Sequence, residues 1–224
     1  MHSATLELRP ASVVKNDELG RFCATMSQGL HALAQPLTIV RSAVAALSAP
    51  GVSAQDQRRY MELSAQHVER TCGLFECLQE LVIASQIDAD CEPLEFSEAI
   101  ANAIEDRDAA LQASGIKLRI VMPDILPQVH GDATRTQQAL SAALNIAATI
   151  SSPGDVVELL ATHRNGFVEL NLQNDRIHGR AMNSLQRLTL ALAEVNIRSQ
   201  QGKYECAEDP LRVFIALPLQ DGLP

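Results

Sequence analysis

The stretch Leu30-His31-Ala32-Leu33-Ala34-Gln35-Pro36-Leu37-Thr38 places one histidine and one proline inside a long, regular apolar repeat. Around it, apolar side chains recur in alternating steps of four and three residues, the spacing of a helix packed in a bundle or a coiled coil. The repeat comprises Leu19, Cys23, Met26, Leu30, Leu33, Leu37, Val40, Val44 and Leu47. His31 directly follows one of these positions, so we predict that its ring lies at the edge of the apolar stripe and reaches solvent. Pro36 cannot donate to the carbonyl of Ala32, which predicts a kink beside the histidine.

Two long helices account for the first part of the chain. The first is predicted to begin near Asn16 or Asp17, either of which can cap it, and to run to about Ala49. Proline and glycine at 50–51 end it, because both disfavour a helix interior. The second helix is predicted from Ser53 or Ala54 to about Ile87. Its apolar seam is Tyr60, Leu63, His67, Thr71, Leu74, Leu78 and Leu81, on which His67 is expected to be packed rather than reactive.

Two long helices joined by a short turn form an antiparallel hairpin. A lone hairpin leaves apolar surface uncovered, so we expect a homodimer in which two hairpins form a four-helix bundle. We assign this dimerisation hairpin to residues 1–88. The first 15 residues are ambiguous, since the alternating stretch Thr5–Leu8 fits either a strand or a tail.

The pattern changes to mixed helix and strand after Asp88-Ala89-Asp90-Cys91-Glu92-Pro93, which predicts a second domain over residues 92–224. Segregated helices and strands favour an α+β layered domain, so the chain as a whole is α+β. Helices are predicted at Phe96–Gly115, Ala133–Ile150 and Arg180–Val195, and strands at Ile116–Met122, Val156–His163, Phe167–Gln173, Gln201–Cys206 and Leu211–Leu217.

Composition excludes several classes of function. The 224 residues carry a net charge of −9 and no cluster of Lys or Arg, which argues against nucleic acid as a partner. No unbroken apolar run has the length of a membrane span, and no signal peptide is evident, so we expect a cytoplasmic protein without a membrane segment. The five cysteines include no Cys-x-x-Cys pair, which predicts reduced thiols and no metal site.

The opening stretch resembles the phosphoacceptor box of two-component sensor histidine kinases, in the variant His-Glu-Ile-Asn-Gln-Pro-Leu. The matching positions are His31, Leu33, Gln35, Pro36 and Leu37. Ala32 stands where the family has the acidic residue that assists phosphoryl transfer from ATP, and Ala34 replaces the amide. The resemblance implies that His31 accepts a phosphoryl group and that Gln35 orients water or phosphoryl oxygens. Arg41 is a weaker candidate, and the alternative is that His31 is an ordinary surface residue of a helix.

The second domain resembles the ATP-binding domain that follows the hairpin in the same family. The run Val129–Leu140 is similar to the Gly-Asp, Arg and Gln-x-Leu positions that lead into the helix carrying the ATP-site asparagines. The segment Leu211–Leu219 is similar to the closing strand of that domain. Together the two resemblances cover nearly the whole chain in the correct order, and they imply the α/β-sandwich ATPase fold.

The residues that serve nucleotide in the family are missing from their positions. Ala142 and Ile146 stand where the family has two asparagines, and isoleucine offers no oxygen to the magnesium ion that the second asparagine holds. Asn145 is one residue away, but one residue turns a helix by about 100°.

Two glycine-containing motifs are also replaced. The segment Asn174–Gly179 replaces the family's Asp-x-Gly-x-Gly; Asn174 or Asp175 could mimic its acid, but two glycines are lost. The family's Gly-Leu-Gly-Leu turn reads Leu188–Leu192. A degenerate ATP site around Asn145, Ile146, Asn174 and Asp175 is therefore expected not to bind ATP.

A histidine on a dimeric bundle beside a domain without an ATP site is similar in plan to the dimeric histidine phosphotransferases. This resemblance implies that the chain relays phosphoryl groups between receiver-domain aspartates through His31. The chain would need no cofactor of its own, because the resemblance implies that the receiver domain supplies magnesium and a lysine. One alternative is an inactive pseudo-kinase scaffold that binds a response regulator or a kinase, and an active histidine kinase ranks third. The expected partners are a second copy of the chain and response regulator receiver domains.

Overall fold

The computed structural model describes residues 11–176 and 181–220, with side chains described from residue 20 onward. The chain divides into two compact units, Met1–Leu78 and Gln79–Pro224, so the division falls within the second helix. The domain limits of 88 and 92, drawn from composition, stay a prediction. The elements in chain order are α1 (Ala11–Leu47), α2 (Ala54–Gln86), β1 (Glu92–Leu94), α3 (Phe96–Ser114), β2 (Lys117–Val121), β3 (Val129–Gly131), α4 (Ala133–Ile150), β4 (Val156–Arg164), β5 (Phe167–Asn174), α5 (Ser184–Arg198), β6 (Lys203–Glu208) and β7 (Leu211–Pro218).

The two long helices of the first unit are present with one correction. α1 begins at Ala11, five residues before the predicted start, so Asn16 lies inside the helix. Nothing between residues 11 and 16 breaks a helix, and the potential cap at Asn16 is therefore not needed. α2 begins where predicted: the Ser53 hydroxyl accepts from the backbone N–H of Asp56 (3.1 Å) and donates to its carboxylate (2.7 Å). The Thr5–Leu8 stretch lies outside the described residues.

The apolar repeat of α1 separates into two faces. Gly29, Pro36 and Ala43, spaced by seven residues, form the buried row of this helix, although none of them belongs to the predicted seam. Leu30, Leu37 and Val44 are 59%, 53% and 50% exposed, so half of the predicted seam is uncovered in the single chain. A seven-residue step returns to nearly the same face of a helix, and the two rows are therefore adjacent stripes. The buried row therefore differs from the predicted seam, whose exposed half would be covered only in the expected dimer.

On α2 the predicted seam is half or fully buried along its whole length, from Tyr60 to Leu81. A second row, Met61, Val68 and Phe75, again has a spacing of seven and is about half exposed. Each helix of the first unit therefore carries one covered and one uncovered apolar stripe.

Apolar residues on two faces give α1 the composition of a membrane span. Residues Gly20–Leu47 are long and apolar enough to cross a membrane by length and composition alone, with a mean hydropathy of 1.3 over an 18-residue window. The segment contains no long unbroken apolar run, because polar residues such as Gln28 and Ser42 interrupt it, and the expectation of no membrane segment overlooked it for that reason.

The second unit is an α+β layer, as predicted. Its five-stranded sheet has the order β2-β4-β5-β7-β6, in which only β2 and β4 are parallel. Side chains of β4 alternate between buried and half-buried, so one face of the sheet meets α3, α4 and α5 across a continuous aliphatic core. The β4–β5 connection is the two-residue turn Asn165-Gly166. Both residues have positive φ (51° and 78°), as a hairpin turn that matches strand twist requires.

Two parts of the second unit differ from the sequence prediction. β1 and β3 pair antiparallel as a separate two-stranded ribbon, which three-residue segments did not reveal. α5 begins at Ser184 rather than Arg180 and ends at Arg198 rather than Val195. Asn183 and Gln186 form a reciprocal capping box at its start, and this Asn-x-x-Gln signature was readable in the sequence.

Candidate functional site

His31 lies on an exposed polar stripe of α1. Ser27, His31, Gln35, Thr38 and Ser42 follow one another in steps of four and three residues, and all five are exposed. The Thr38 and Ser42 hydroxyls donate to backbone carbonyls one turn earlier, at Ala34 (2.7 Å) and Thr38 (2.9 Å). Gln35, one turn after His31, makes no side-chain hydrogen bond within the described part of the chain. His31 and Gln35 were predicted from the sequence, and the same helical spacing adds Ser27, Thr38 and Ser42.

The part of α1 around His31 carries no carboxylate that could act as a base. Residues 20–47 contain no Asp or Glu, and Ala32, at the position of the family's acidic residue, is half-buried. His31 directly follows Leu30 of the exposed apolar row, as the seam position predicted. A solvent-facing imidazole on a regular helix can act as a nucleophile through an unprotonated ring nitrogen. A carboxylate that assists His31 therefore has to come from outside this segment, whereas Arg41, the weaker candidate, is an exposed cation of the same helix ten residues further along the chain.

The nucleotide positions predicted on α4 face the protein interior. Ile146 is 1% exposed and Ala142 is 8% exposed, and both belong to the aliphatic core. Asn145, the neighbouring candidate, is half-exposed and lies on a different face of the helix.

α4 also packs directly against α5, which closes the space beside these positions. The Asn196 side chain donates to Gln138 (2.9 Å) near one end of the helix pair, and Gln186 donates to the Thr149 hydroxyl (2.9 Å) near the other. The segment 188–192, which replaces the family's glycine-rich turn, lies inside α5, where Leu188 and Leu190 are buried.

Asn174, the candidate for the adenine-recognising acid, is already engaged with its own chain. The side chain is 2% exposed; it donates to the Ser151 hydroxyl (2.8 Å) and accepts from the Arg176 backbone N–H (3.1 Å). It also donates to the buried carboxylate of Asp155 (3.3 Å), which forms an ion pair with Arg176 (3.0 Å). The side chain of Asn174 therefore forms hydrogen bonds with the loop after α4 and with Arg176, and does not face an open cleft.

Asp175, the second candidate for that acid, points elsewhere. It is exposed and forms an ion pair with Arg212 at 3.7 Å.

A cavity of about 430 Å³ lies in the second unit, at the end of α2 and the starts of β1 and α4. None of the four predicted nucleotide residues lines it. His178 and Gly179 lie outside the described residues.

Comparisons with known proteins give a fold but no sequence family. No protein-family model matches the chain, and no curated protein matches it. Among solved structures, the Acinetobacter baumannii histidine kinase AdeS superposes with a TM-score of 0.64 at 16% identity, covering 85% of this chain and 98% of that one. The histidine kinase ThkA, solved in complex with the response regulator TrrA, gives 0.69 at 14% identity, covering 92% and 64%.

The chain has the fold of the histidine kinases. Full-length ShkA, solved in complex with AMPPNP, is a third such structure, with a TM-score of 0.55 at 13% identity over 95% of this chain. The histidine kinase fold consists here of a helical pair followed by an ATPase-like α/β domain, as the two resemblances implied. The roles of His31 and Gln35 stay predictions, as does the loss of ATP binding.

Proposed function

We propose that this chain is a histidine phosphotransferase of two-component signalling, which relays phosphoryl groups between receiver-domain aspartates through His31 and does not bind ATP. The observation that carries the proposal is a contrast between the two halves of one histidine kinase fold. His31 is open to solvent, whereas Ile146 and Asn174, at the magnesium and adenine positions, are 1% and 2% exposed and packed or hydrogen-bonded internally. An accessible nucleophile without a nucleotide site must receive its phosphoryl group from another protein.

In the proposed step, a neutral imidazole nitrogen of His31 attacks the phosphorus of an aspartyl phosphate. The N–P bond forms as the P–O bond of the acyl phosphate breaks, and the aspartate leaves as a carboxylate. The reverse step passes the group to the aspartate of a second receiver. The receiver's magnesium and lysine stabilise the charge on the transferring group, so the step does not need the acidic residue that Ala32 replaces. Gln35, one turn from His31, is placed to hydrogen-bond the phosphoryl oxygens.

We propose a response regulator receiver domain as the protein partner. The comparison structure of ThkA with TrrA supports this class of partner for a chain of the same fold. Residues 20–47 supply no carboxylate, so an acidic receiver site can approach His31 without like-charge repulsion from this segment of α1.

We further propose that two copies associate through the uncovered stripes of the long helices. Leu30, Leu37 and Val44 on α1 repeat every seven residues, as Met61, Val68 and Phe75 do on α2. Heptad-spaced apolar rows are covered in a four-helix bundle of two hairpins. Leu37→Glu should convert a dimer to a monomer in analytical ultracentrifugation, whereas Gln28→Glu, an equally charged change on an exposed polar position, should not. A wild-type monomer at micromolar concentration would contradict the dimer.

The experiment that tests phosphotransfer uses receivers from the same genome. Each receiver is phosphorylated on its aspartate and incubated with the chain, which should acquire acid-labile, base-stable phosphate. His31→Ala should abolish the label, whereas His163→Ala, which removes an exposed histidine of the second unit, should retain it. A wild-type chain that stays unlabelled with every receiver, or label that persists in His31→Ala, would refute the relay.

The pseudo-kinase scaffold is the second candidate, and the observation that favours it is the pair of alanines, Ala32 and Ala34, beside His31. A scaffold would bind a receiver as tightly in His31→Ala as in the wild type and would never be labelled. Titration with magnesium-ATP separates the third possibility, because clear binding would favour a kinase.

We place this activity in the cytoplasm, where receivers are phosphorylated. Cell fractionation decides the location, since a chain held by Gly20–Leu47 in a membrane would sediment with the membranes and resist extraction by salt.

A further inference from the structure

A buried arginine joins three parts of the second unit. Arg135, in the first turn of α4, is 8% exposed. Its guanidinium donates to the backbone carbonyls of Ala84 (3.2 Å) and Ile87 (2.5 Å), at the C-terminal end of α2, and to the Ser199 hydroxyl (2.7 Å) after α5. The last carbonyls of a helix lack intrahelical donors and carry partial negative charge, so a guanidinium is a favourable cap for them.

Asp132 completes the arrangement from the other side. Its carboxylate lies 3.5 Å from Nε of Arg135 and accepts the backbone N–H of Asp90 (3.1 Å), in the segment that leaves α2. It also caps α4 by accepting the N–H of Arg135 (3.0 Å). One acid and one base, three residues apart, therefore hold both the last turn of α2 and the chain that follows it.

The support behind this pair is also buried. Gln200 is 1% exposed and accepts from the Asp132 N–H (2.7 Å) and from the hydroxyl of Thr136 (3.1 Å). A side chain on Gly131 would place its Cβ 2.9 Å from the same oxygen of Gln200 and would displace that oxygen from its hydrogen bonds. A fully satisfied buried network of this kind holds its members in one arrangement.

We propose that Asp132 and Arg135 form a latch within the second unit, which holds residues 84–91, the end of α2 and the segment that follows it, in one arrangement. The Gly-Asp-x-x-Arg positions were matched in sequence to the approach to a nucleotide helix. In this chain their side chains make contacts with a helix end and a connecting segment, while the positions expected to contact nucleotide are filled. What the chain retains of that motif is the contact of Asp132 and Arg135 with residues 84–91.

Hydrogen exchange tests the latch without any phosphotransfer. In the full-length wild type, peptides covering residues 79–92 should be protected, because Ile87 donates to Ile83 (3.0 Å) and Asp90 donates to Asp132. Arg135→Gln should raise exchange in these peptides about tenfold or more, since charge-assisted bonds to two carbonyls are lost, while peptides of β4 and β5 stay unchanged. Arg187→Gln, which removes an exposed ion pair with Glu208, is the matched control and should leave 79–92 unchanged.

Ser199→Ala provides a milder variant in case Arg135→Gln does not fold. It removes one acceptor of the guanidinium and should raise exchange over 79–92 by a smaller factor. The latch is refuted if the wild-type peptide exchanges as fast as an unstructured chain. It is equally refuted if folded variants exchange like the wild type. Failure of the phosphotransfer assay would not affect this result, because the readout involves neither His31 nor a receiver.

Discussion

Ile146→Asn places an asparagine at the position where the family holds magnesium. From the structure we predict that this substitution destabilises the core of the second unit and does not create a magnesium site. The Ile146 side chain is 1% exposed within the aliphatic cluster of the second unit. Loss of its apolar burial costs about 1.5–3 kcal/mol. An amide left without hydrogen-bond partners at this site adds about 1–3 kcal/mol. We therefore expect the free energy of unfolding to fall by roughly 3–5 kcal/mol, a large part of the about 5–15 kcal/mol that stabilises a typical domain.

Urea unfolding followed by circular dichroism measures this loss, and calorimetric titration with magnesium-ATP measures any gain of binding. Ile146→Val controls for the site and should cost about 0.5–1.5 kcal/mol. Ile125→Asn controls for the chemistry of the change: Ile125 is 82% exposed, and its replacement should alter stability by about 0.5 kcal/mol or less. If Ile146→Asn costs under about 1 kcal/mol, or binds magnesium-ATP, position 146 faces an open site and the reasoning is wrong.

Three further predictions test the packing, capping and ionisation of the second unit. Gly202→Ala should lower the free energy of unfolding in urea by about 1–3 kcal/mol, because the new Cβ would lie 2.7 Å from the carbonyl oxygens of Ala216 and Ile197. Gly20→Ala is the control and should not lower it, because no atom lies within 4 Å of a Cβ at position 20. Equal losses of stability in the two variants would contradict the crowding at Gly202. Asn183→Ala removes the capping box of α5 and should cost about 1 kcal/mol, whereas Asn165→Gly, at positive φ, should cost less. Partial burial, with Glu208 and Glu194 nearby, raises the pKa of Cys206 to about 11, so its alkylation at pH 8 should be slow and should accelerate toward pH 11 as thiolate forms; rapid labelling of Cys206 at pH 8, measured by mass spectrometry, would refute the raised pKa.

The sequence was sufficient for those parts of the fold whose signals are local and repeated. α4 was predicted residue for residue, because Asp132 caps its start and Ser-Ser-Pro-Gly follows its end. The β4–β5 hairpin was predicted within one residue at its ends, since Asn-Gly between two alternating segments specifies a two-residue turn.

Other parts depended on contacts that a local pattern does not contain. The β1–β3 ribbon is held by pairing between segments about 37 residues apart, and three-residue strands carry no periodicity to detect. The seam of α1 was assigned one face because Leu30 and Leu37 are as apolar as Leu33. Only the structure shows that small residues, Gly29 and Ala43, occupy the covered row.

For the candidate site, the sequence was enough to pick out the residues and their types, but not the contacts that those residues make. The pattern identified His31 and its exposure, and it identified Ile146 and Asn174 as replacements. It did not show that Asn174 donates hydrogen bonds to Ser151 and Asp155, or that Arg135 donates a hydrogen bond to a carbonyl at the end of α2. Both features depend on tertiary contacts. The role of a buried polar side chain depends on its hydrogen-bond partners, and here these partners are distant in sequence.

The covered row of α1, Gly29, Pro36 and Ala43, restricts the size of side chain that these positions accept. Ala43 is 3% exposed, so leucine, which adds three carbons there, should be tolerated less well than serine, which adds one oxygen. His31 follows Gly29 by only two residues on the same helix. A bulky side chain at position 29 would therefore displace the backbone that carries the imidazole, and selection for small volume on the covered face would preserve the position of the histidine on the exposed face.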